Sequence, residues 1–138
     1  MISVCIPVYR YDVRLLVREL LRQAEEFAEV HPEVLVYDDA SPEDPAWGKA
    51  ELRRTPGIRY VELPTNSGRA AIRNKMATEA RHDYVLLLDA DGEPGPDFLN
   101  DYFLALEGDV DILVGGREYA REAPPSPYRL HWYYGLMR

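Results

Sequence analysis

Two pairs of acids in this chain are spaced for joint chemistry. Asp89-Ala90-Asp91 closes the apolar run Val85-Leu86-Leu87-Leu88, and Asp38-Asp39 closes the run Val34-Leu35-Val36-Tyr37. Four consecutive apolar residues suit a strand buried on both faces, and ligands of open α/β sheets gather where such strands end. Two carboxylates separated by one small residue can share a hard divalent cation, which prefers oxygen ligands, retains water and accepts substrate phosphate. A third segment, Asn66-Ser67-Gly68-Arg69-Ala70-Ala71-Ile72-Arg73-Asn74, sets Gly68 at a helix start, where anions are favoured, and places Arg69 and Arg73 one turn apart on one face. An arginine beside an acidic rim balances its charge or clamps a diphosphate through its planar fork, and Arg73 is the better placed if its helix borders that rim. Arg69 reads equally well as part of a solvated helix face. Together these residues predict a metal-assisted reaction on a phosphate-bearing substrate. Any one acid alone reads as a loop or capping residue, and it is the pairing of clusters at strand ends that points to a site.

The elements that must position them alternate strand and helix. Val4 to Val8 is a short strand expected to stop near Pro7. From Asp12, the expected cap, Val13, Leu16, Val17, Leu20, Leu21, Ala24, Phe27 and Ala28 recur at helical spacing. The second acid-tipped strand follows, then a proline-rich loop, a weak helix around Ala46 to Leu52, the turn Thr55-Pro56-Gly57 and an alternating edge strand from Ile58 to Leu63. The Gly68 helix carries Ile72, Met76 and several alanines. Beyond the Asp89 strand, Gly95-Pro96 predicts a helix with proline at its first helical position and Phe98, Leu99, Tyr102, Phe103 and Leu106 inward. Ile112 to Val114 reads as one more short strand. This order predicts an α/β, Rossmann-like, mostly parallel sheet with helices on both faces and right-handed crossovers. All carboxyl ends of a parallel sheet point one way, so Pro7-Val8-Tyr9, Asp38-Asp39 and Asp89-Ala90-Asp91 are expected on one rim.

Composition narrows the partners. A length of 138 residues and 46% hydrophobic content fit one folded core. A net charge of -8 disfavours nucleic acid, which needs a basic footprint. No apolar stretch approaches the ~20 residues of a membrane span, and the start lacks the basic segment of a secretion signal, so the expected location is cytoplasmic. The single cysteine, Cys5, sits in an apolar run and reads as a packed thiol. No glycine-rich loop ending in Lys-Ser or Lys-Thr is present, which argues against a P-loop nucleotidase. A phosphoacceptor receiver domain would want acids after the first strand, where Pro7-Val8-Tyr9 stands instead.

In order along the chain, Val4-Cys5-Ile6-Pro7-Val8-Tyr9, Val36-Tyr37-Asp38-Asp39-Ala40-Ser41, Asn66 to Asn74 and Leu88-Asp89-Ala90-Asp91 resemble the family 2 glycosyltransferases, which have the GT-A fold. The resemblance implies that Pro7, Val8 and Tyr9, with Asp39, form a uridine-type pocket, and that Gly68 and Arg73 lie beside the nucleotide. It implies that Asp89 faces the ribose or the metal, with Ala90 beside it in the donor site, and that Asp91 binds Mn²⁺ or Mg²⁺ bridging the donor's diphosphate. The activity implied is metal-assisted, inverting transfer from a nucleotide sugar, a UDP-sugar, to a glycan or other hydroxyl acceptor. Inverting members also need a carboxylate general base beyond the sugar-binding strand. Glu118 and Glu122 carry no mark of that role. Residues 1–116 are therefore expected to form the nucleotide-sugar-binding domain, and 117–138 a tail leading toward an acceptor-binding half, the whole being a truncated form. The aromatic tail, including Trp132 and Tyr133, reads as core lacking its cover or as a sugar-stacking surface. The alternative function is a non-catalytic nucleotide-binding or interaction module.

Overall fold

Hydrophobic runs too short to cross a domain as helices pair instead as parallel strands. The computed structural model describes residues 1–27, 31–108, 110–116, 118, 123–125, 127 and 129. In it β1 (Ile2–Val8), β2 (Glu33–Asp38), β3 (Ile58–Glu62) and β4 (Tyr84–Leu87) form one sheet in the order β3-β2-β1-β4. Every pairing is parallel, with Cys5 opposite Leu35 on one side and Leu87 on the other. The helices α1 (Arg14–Ala24), α2 (Lys49–Leu52), α3 (Arg69–Glu79) and α4 (Phe98–Ala105) lie between or after the strands.

The period-2 alternation of β1 divides the core. Val4, Ile6, Val34, Val36 and Leu86 face Val17 and Leu20 of α1 and Leu99 of α4. Cys5, Leu35 and Tyr37 face Ile72 and Met76 of α3 on the opposite side. Each such buried side chain contributes about 1.5–3 kcal/mol. Helices on both faces of a parallel sheet are as the sequence predicts. Cys5 is fully buried, and burial pushes its thiol up to about 11, which suits packing rather than nucleophilic chemistry.

Several local expectations are corrected. β1 does stop near Pro7, as expected, but one residue past it at Val8, because the missing N–H costs nothing there. The Val8 carbonyl accepts from Asp39 N on the β2 side, whereas Leu88 N donates to the Cys5 carbonyl on the β4 side. Pro7 shares the phase of Cys5 and so turns its nitrogen toward β4, past that ladder's last pair. The Asp89 strand is not buried on both faces. Among the described residues β4 is an edge strand, with Leu86 buried and Leu87 48% exposed.

The helix ends also shift. The N-cap position of α1 is Val13, although Asp12 Oδ1 still accepts from Arg14 N at 3.0 Å. Ala28 lies outside the described residues. The weak helix breaks into a 3-10 turn (Pro45–Trp47) and α2, because Gly48 between them takes a φ of 65°. α4 starts after Asp97 rather than at Pro96. The chain divides into two compact units, Met1–Gly108 and Asp109–Arg138. In the second, Ile112 to Val114 forms no strand, and Ile112 and Val114 are exposed. A strand needs a partner's ladder, and none is present there among the described residues.

Candidate functional site

Parallel pairing sends the carboxyl ends of β1, β2 and β4 to one edge of the sheet, as expected, and a cleft of about 310 Å³ opens there. Its walls are Pro7, Val8 and Tyr9 after β1, Asp39 after β2, and Asp89, Ala90 and Asp91 after β4, with Arg73 from α3. Tyr11, Arg69 and Ile72 complete it. Gly68 does not line the cleft. Its amide instead donates to Asp39 Oδ2 at 2.9 Å.

The adjacent acids of β2 point opposite ways, as neighbours in extended backbone do. Asp38 turns inward and is buried. Its Oδ1 accepts from Ser41 N at 2.7 Å and its Oδ2 from Tyr60 Oη at 3.2 Å. Buried Lys49 stands behind it, with Nζ 3.5 Å from Asp38, 2.8 Å from Glu62 and 2.9 Å from the Ser41 carbonyl, to which it donates. Burial works against the ammonium, but the Glu62 hydrogen bond and the Asp38, Glu62 and Glu43 charges raise its pKa above the usual lysine value. Asp39 turns to the cleft. Its Oδ1 accepts from Ser67 N at 2.7 Å and Ser67 Oγ at 2.8 Å, while its carbonyl accepts from Asn66 Nδ2 at 3.1 Å. The loop before α3 is thus pinned to the end of β2.

The β1 and β2 ends are tied together by Arg10 N, which donates to Ser41 Oγ at 2.8 Å. Arg10 and Ala40 both take positive φ, 52° and 62°. Such left-handed non-glycine residues persist only where surrounding bonds hold them. Tyr9 and Tyr11 stand on either side of Arg10, each close to half exposed.

After β4 the backbone turns tightly, with Gly92 N donating to the Asp89 carbonyl at 3.0 Å. A Cβ at Gly92 would stand 3.1 Å from that oxygen, so glycine suits the turn. Arg73 donates to Asp89 Oδ1 at 2.5 Å and to the Arg69 carbonyl at 3.3 Å. Arg69 is farther from Asp89, at 3.9 Å, and its side chain is 83% exposed. Asp91 is exposed.

Among the described residues, no group of three or more His, Cys, Asp and Glu gathers to hold an ion. The donor set does not suit zinc or an all-protein calcium cage. Two carboxylates one residue apart at a strand's end, Asp91 exposed and Asp89 partly so, do fit a hard cation of the Mg²⁺ or Mn²⁺ type, which uses one or two carboxylates and completes its shell with water and phosphate oxygens. Asp89 and Asp91 would hold it.

Pro7, Val8, Tyr9, Asp39, Arg73, Asp89, Ala90 and Asp91, all expected from the sequence, lie at this rim, whereas Tyr11 and Ile72 also line it without having been expected there, nor was Lys49 expected behind Asp38. Tyr11 carried a signal in being a second aromatic two residues after Tyr9. Ile72 reads as core and also closes the cleft floor. Glu118 belongs to the second unit, and Glu122, Trp132 and Tyr133 lie outside the described residues.

Comparison with known proteins identifies the family. The model of the family described as Glycosyl transferase family 2 matches residues 3–137. Over 89 residues the chain is 36% identical to hyaluronan synthase of Pasteurella multocida, covering 63% of this chain and 9% of that protein. TarS 1-349 of S. aureus, solved in complex with UDP-GlcNAc, superposes with a TM-score of 0.58 and 29% identity, covering 77% of this chain and 31% of that one. The mannosyltransferase PcManGT of Pyrobaculum calidifontis, solved with GDP-Man and Mn2+, gives a TM-score of 0.59 and 25% identity over 78% of this chain and 32% of that one. The chain therefore spans a small part of the curated relative and about a third of each solved chain.

Proposed function

Because the chain belongs to glycosyl transferase family 2, we propose that it is the donor-binding portion of a glycosyltransferase. It takes a nucleoside-diphosphate sugar, a UDP-sugar, and serves metal-assisted, inverting transfer to a hydroxyl of a glycan or similar acceptor. The observation that carries this reading is the convergence of Asp39, Asp89, Asp91 and Arg73 with the Tyr9 loop on one cleft. The UDP-GlcNAc held by TarS, and the GDP-Man and Mn2+ held by PcManGT, support it.

The cleft's chemistry follows from its charges. Three aspartates face two arginines, so the cleft carries excess negative charge, which a divalent cation held by Asp89 and Asp91 would offset. When bound there, Mn²⁺ or Mg²⁺ supplies Lewis-acid stabilisation of the negative charge that develops on the departing nucleotide. Arg73 holds the Asp89 carboxylate in place through a charge-assisted hydrogen bond. Tyr9 offers an aromatic wall to the base, and the Asp39 side offers polar edges. The Asn66–Gly68 loop, pinned by Asp39, keeps α3 and its arginines against the rim.

A melting-temperature assay tests the reading. UDP with Mn²⁺ raises the midpoint by mass action, UDP alone raises it less, and Asp91→Ala abolishes the rise. An unaltered response in that variant removes Asp91 from the metal site. Transfer also needs a carboxylate to take the acceptor's proton, and the three cleft aspartates already have other partners or roles. Hydrolysis of UDP-sugar by the chain separates a catalytic domain from a nucleotide-binding module using the same cleft.

A further inference from the structure

The two arginines of the cleft are not equivalent, and their difference assigns them separate tasks. Arg73 is three-quarters buried and committed, donating to Asp89 Oδ1 at 2.5 Å and to the Arg69 carbonyl at 3.3 Å. Arg69 stands one turn earlier on the same helix face, lines the same cleft, and is 83% exposed with its nearest acid 3.9 Å away. That acid, Asp89, is also bonded by Arg73 at the shorter distance, so Arg69 has no comparably close carboxylate among the described residues. A long cation kept at the rim of a cleft whose other cation is occupied has its five donors available to a ligand.

We infer that Arg69 is a ligand-binding, specificity-determining residue of this cleft: it pairs with an oxyanion of the bound molecule, while Arg73 only positions Asp89. This rests on the donor-site reading and deepens it. A guanidinium recognises phosphoryl and carboxylate oxygens in the same bidentate way. The oxyanion is therefore either the outer phosphate of a nucleoside diphosphate or a carboxylate carried by the sugar. Arg69 is exposed enough to be replaced without disturbing the core, which makes the inference open to a clean substitution.

The test is calorimetric titration of the full chain and of Arg69→Gln and Arg69→Lys in MnCl₂, using uridine, UMP, UDP, UDP-glucose and UDP-glucuronate as probes. Both variants are expected to keep the ligand-free melting temperature. Loss of one charge-assisted pair weakens binding by about ten- to a hundredfold in Arg69→Gln. If UDP and both UDP-sugars weaken together while uridine changes by less than about twofold, the partner is the outer phosphate. If only UDP-glucuronate weakens, the partner is the sugar carboxylate. Arg69→Lys keeps the charge but not the fork and falls between the two. Wild-type affinities for every probe in Arg69→Gln, with UDP still binding, would overturn the inference and leave the donor site standing. Failure of the wild-type chain to bind any of the five overturns both.

Discussion

At the scale of single residues, adjacent acids of identical type have unlike tasks because the backbone between them is extended. Asp38 is built into the interior through Ser41, Tyr60 and Lys49, whereas Asp39 holds the Ser67-Gly68 amides with both oxygens at the cleft wall. A charged acceptor of several N–H and O–H donors is worth more than a neutral hydrogen bond. Asp39→Ala is therefore expected to cost about 2 kcal/mol in urea unfolding and to remove the UDP response in the same variant. Asp39→Asn keeps the shape but sets an amide nitrogen against one of those donors, so its loss falls between wild type and alanine. An alanine variant as stable as wild type would show that these bonds do not anchor the loop. The sequence displayed the Asp-Asp pair and the rim it would join. It could not display which oxygen meets which amide, because Ser67 and Gly68 come from a segment 28 and 29 residues away.

At the scale of elements, what was legible followed from local periodicity, and what was not depended on neighbours far along the chain. The stripe of Leu16, Val17 and Leu20 specifies α1 whatever packs against it. The exposure of Leu87 goes instead with β4 standing at the sheet's edge among the described residues, and an apolar run reads the same at an edge as in the middle. The break before α2 lies between these cases. Gly48 was visible, but its φ of 65° and the 2.4 Å that would separate an added Cβ from Arg14 Nε were not. Arg14 is itself held by Asp12 and Glu51, which limits its retreat. Gly48→Ala is expected to lose about 1–2 kcal/mol, combining left-handed strain with displacement of Arg14. Gly95→Ala, whose added methyl would meet nothing within 4 Å and whose φ is not positive, is the control and stays within about 0.5 kcal/mol. Equal stability of the two variants in denaturant would refute the strain argument.

At the scale of the whole molecule, acids outnumber bases by 24 to 16, so acid titration acts on a chain whose few interior cations depend on carboxylates. The Lys49 cluster behind the cleft couples that balance to stability. The hydrogen bond from Arg53 holds Glu62 below its ordinary 4.5, burial opposing and Lys49 assisting. A carboxyl depressed by folding contributes stability that is present above about 4.5 and is lost as pH falls through its folded value. Lys49, raised above 10.5, contributes stability that is present below that value and is lost only as pH climbs through its folded pKa. The cluster thus supports the loop carrying Asp39 across the neutral range and releases it first on the acid side. Glu62→Gln removes one titrating partner while keeping the shape. Urea unfolding of this variant from pH 7 downward is expected to start from lower stability than wild type and to fall less steeply below about pH 4.5. Parallel curves for the two proteins would show that acid sensitivity arises elsewhere, in the exposed pairs along α1 such as Arg22 with Glu19 and Glu26.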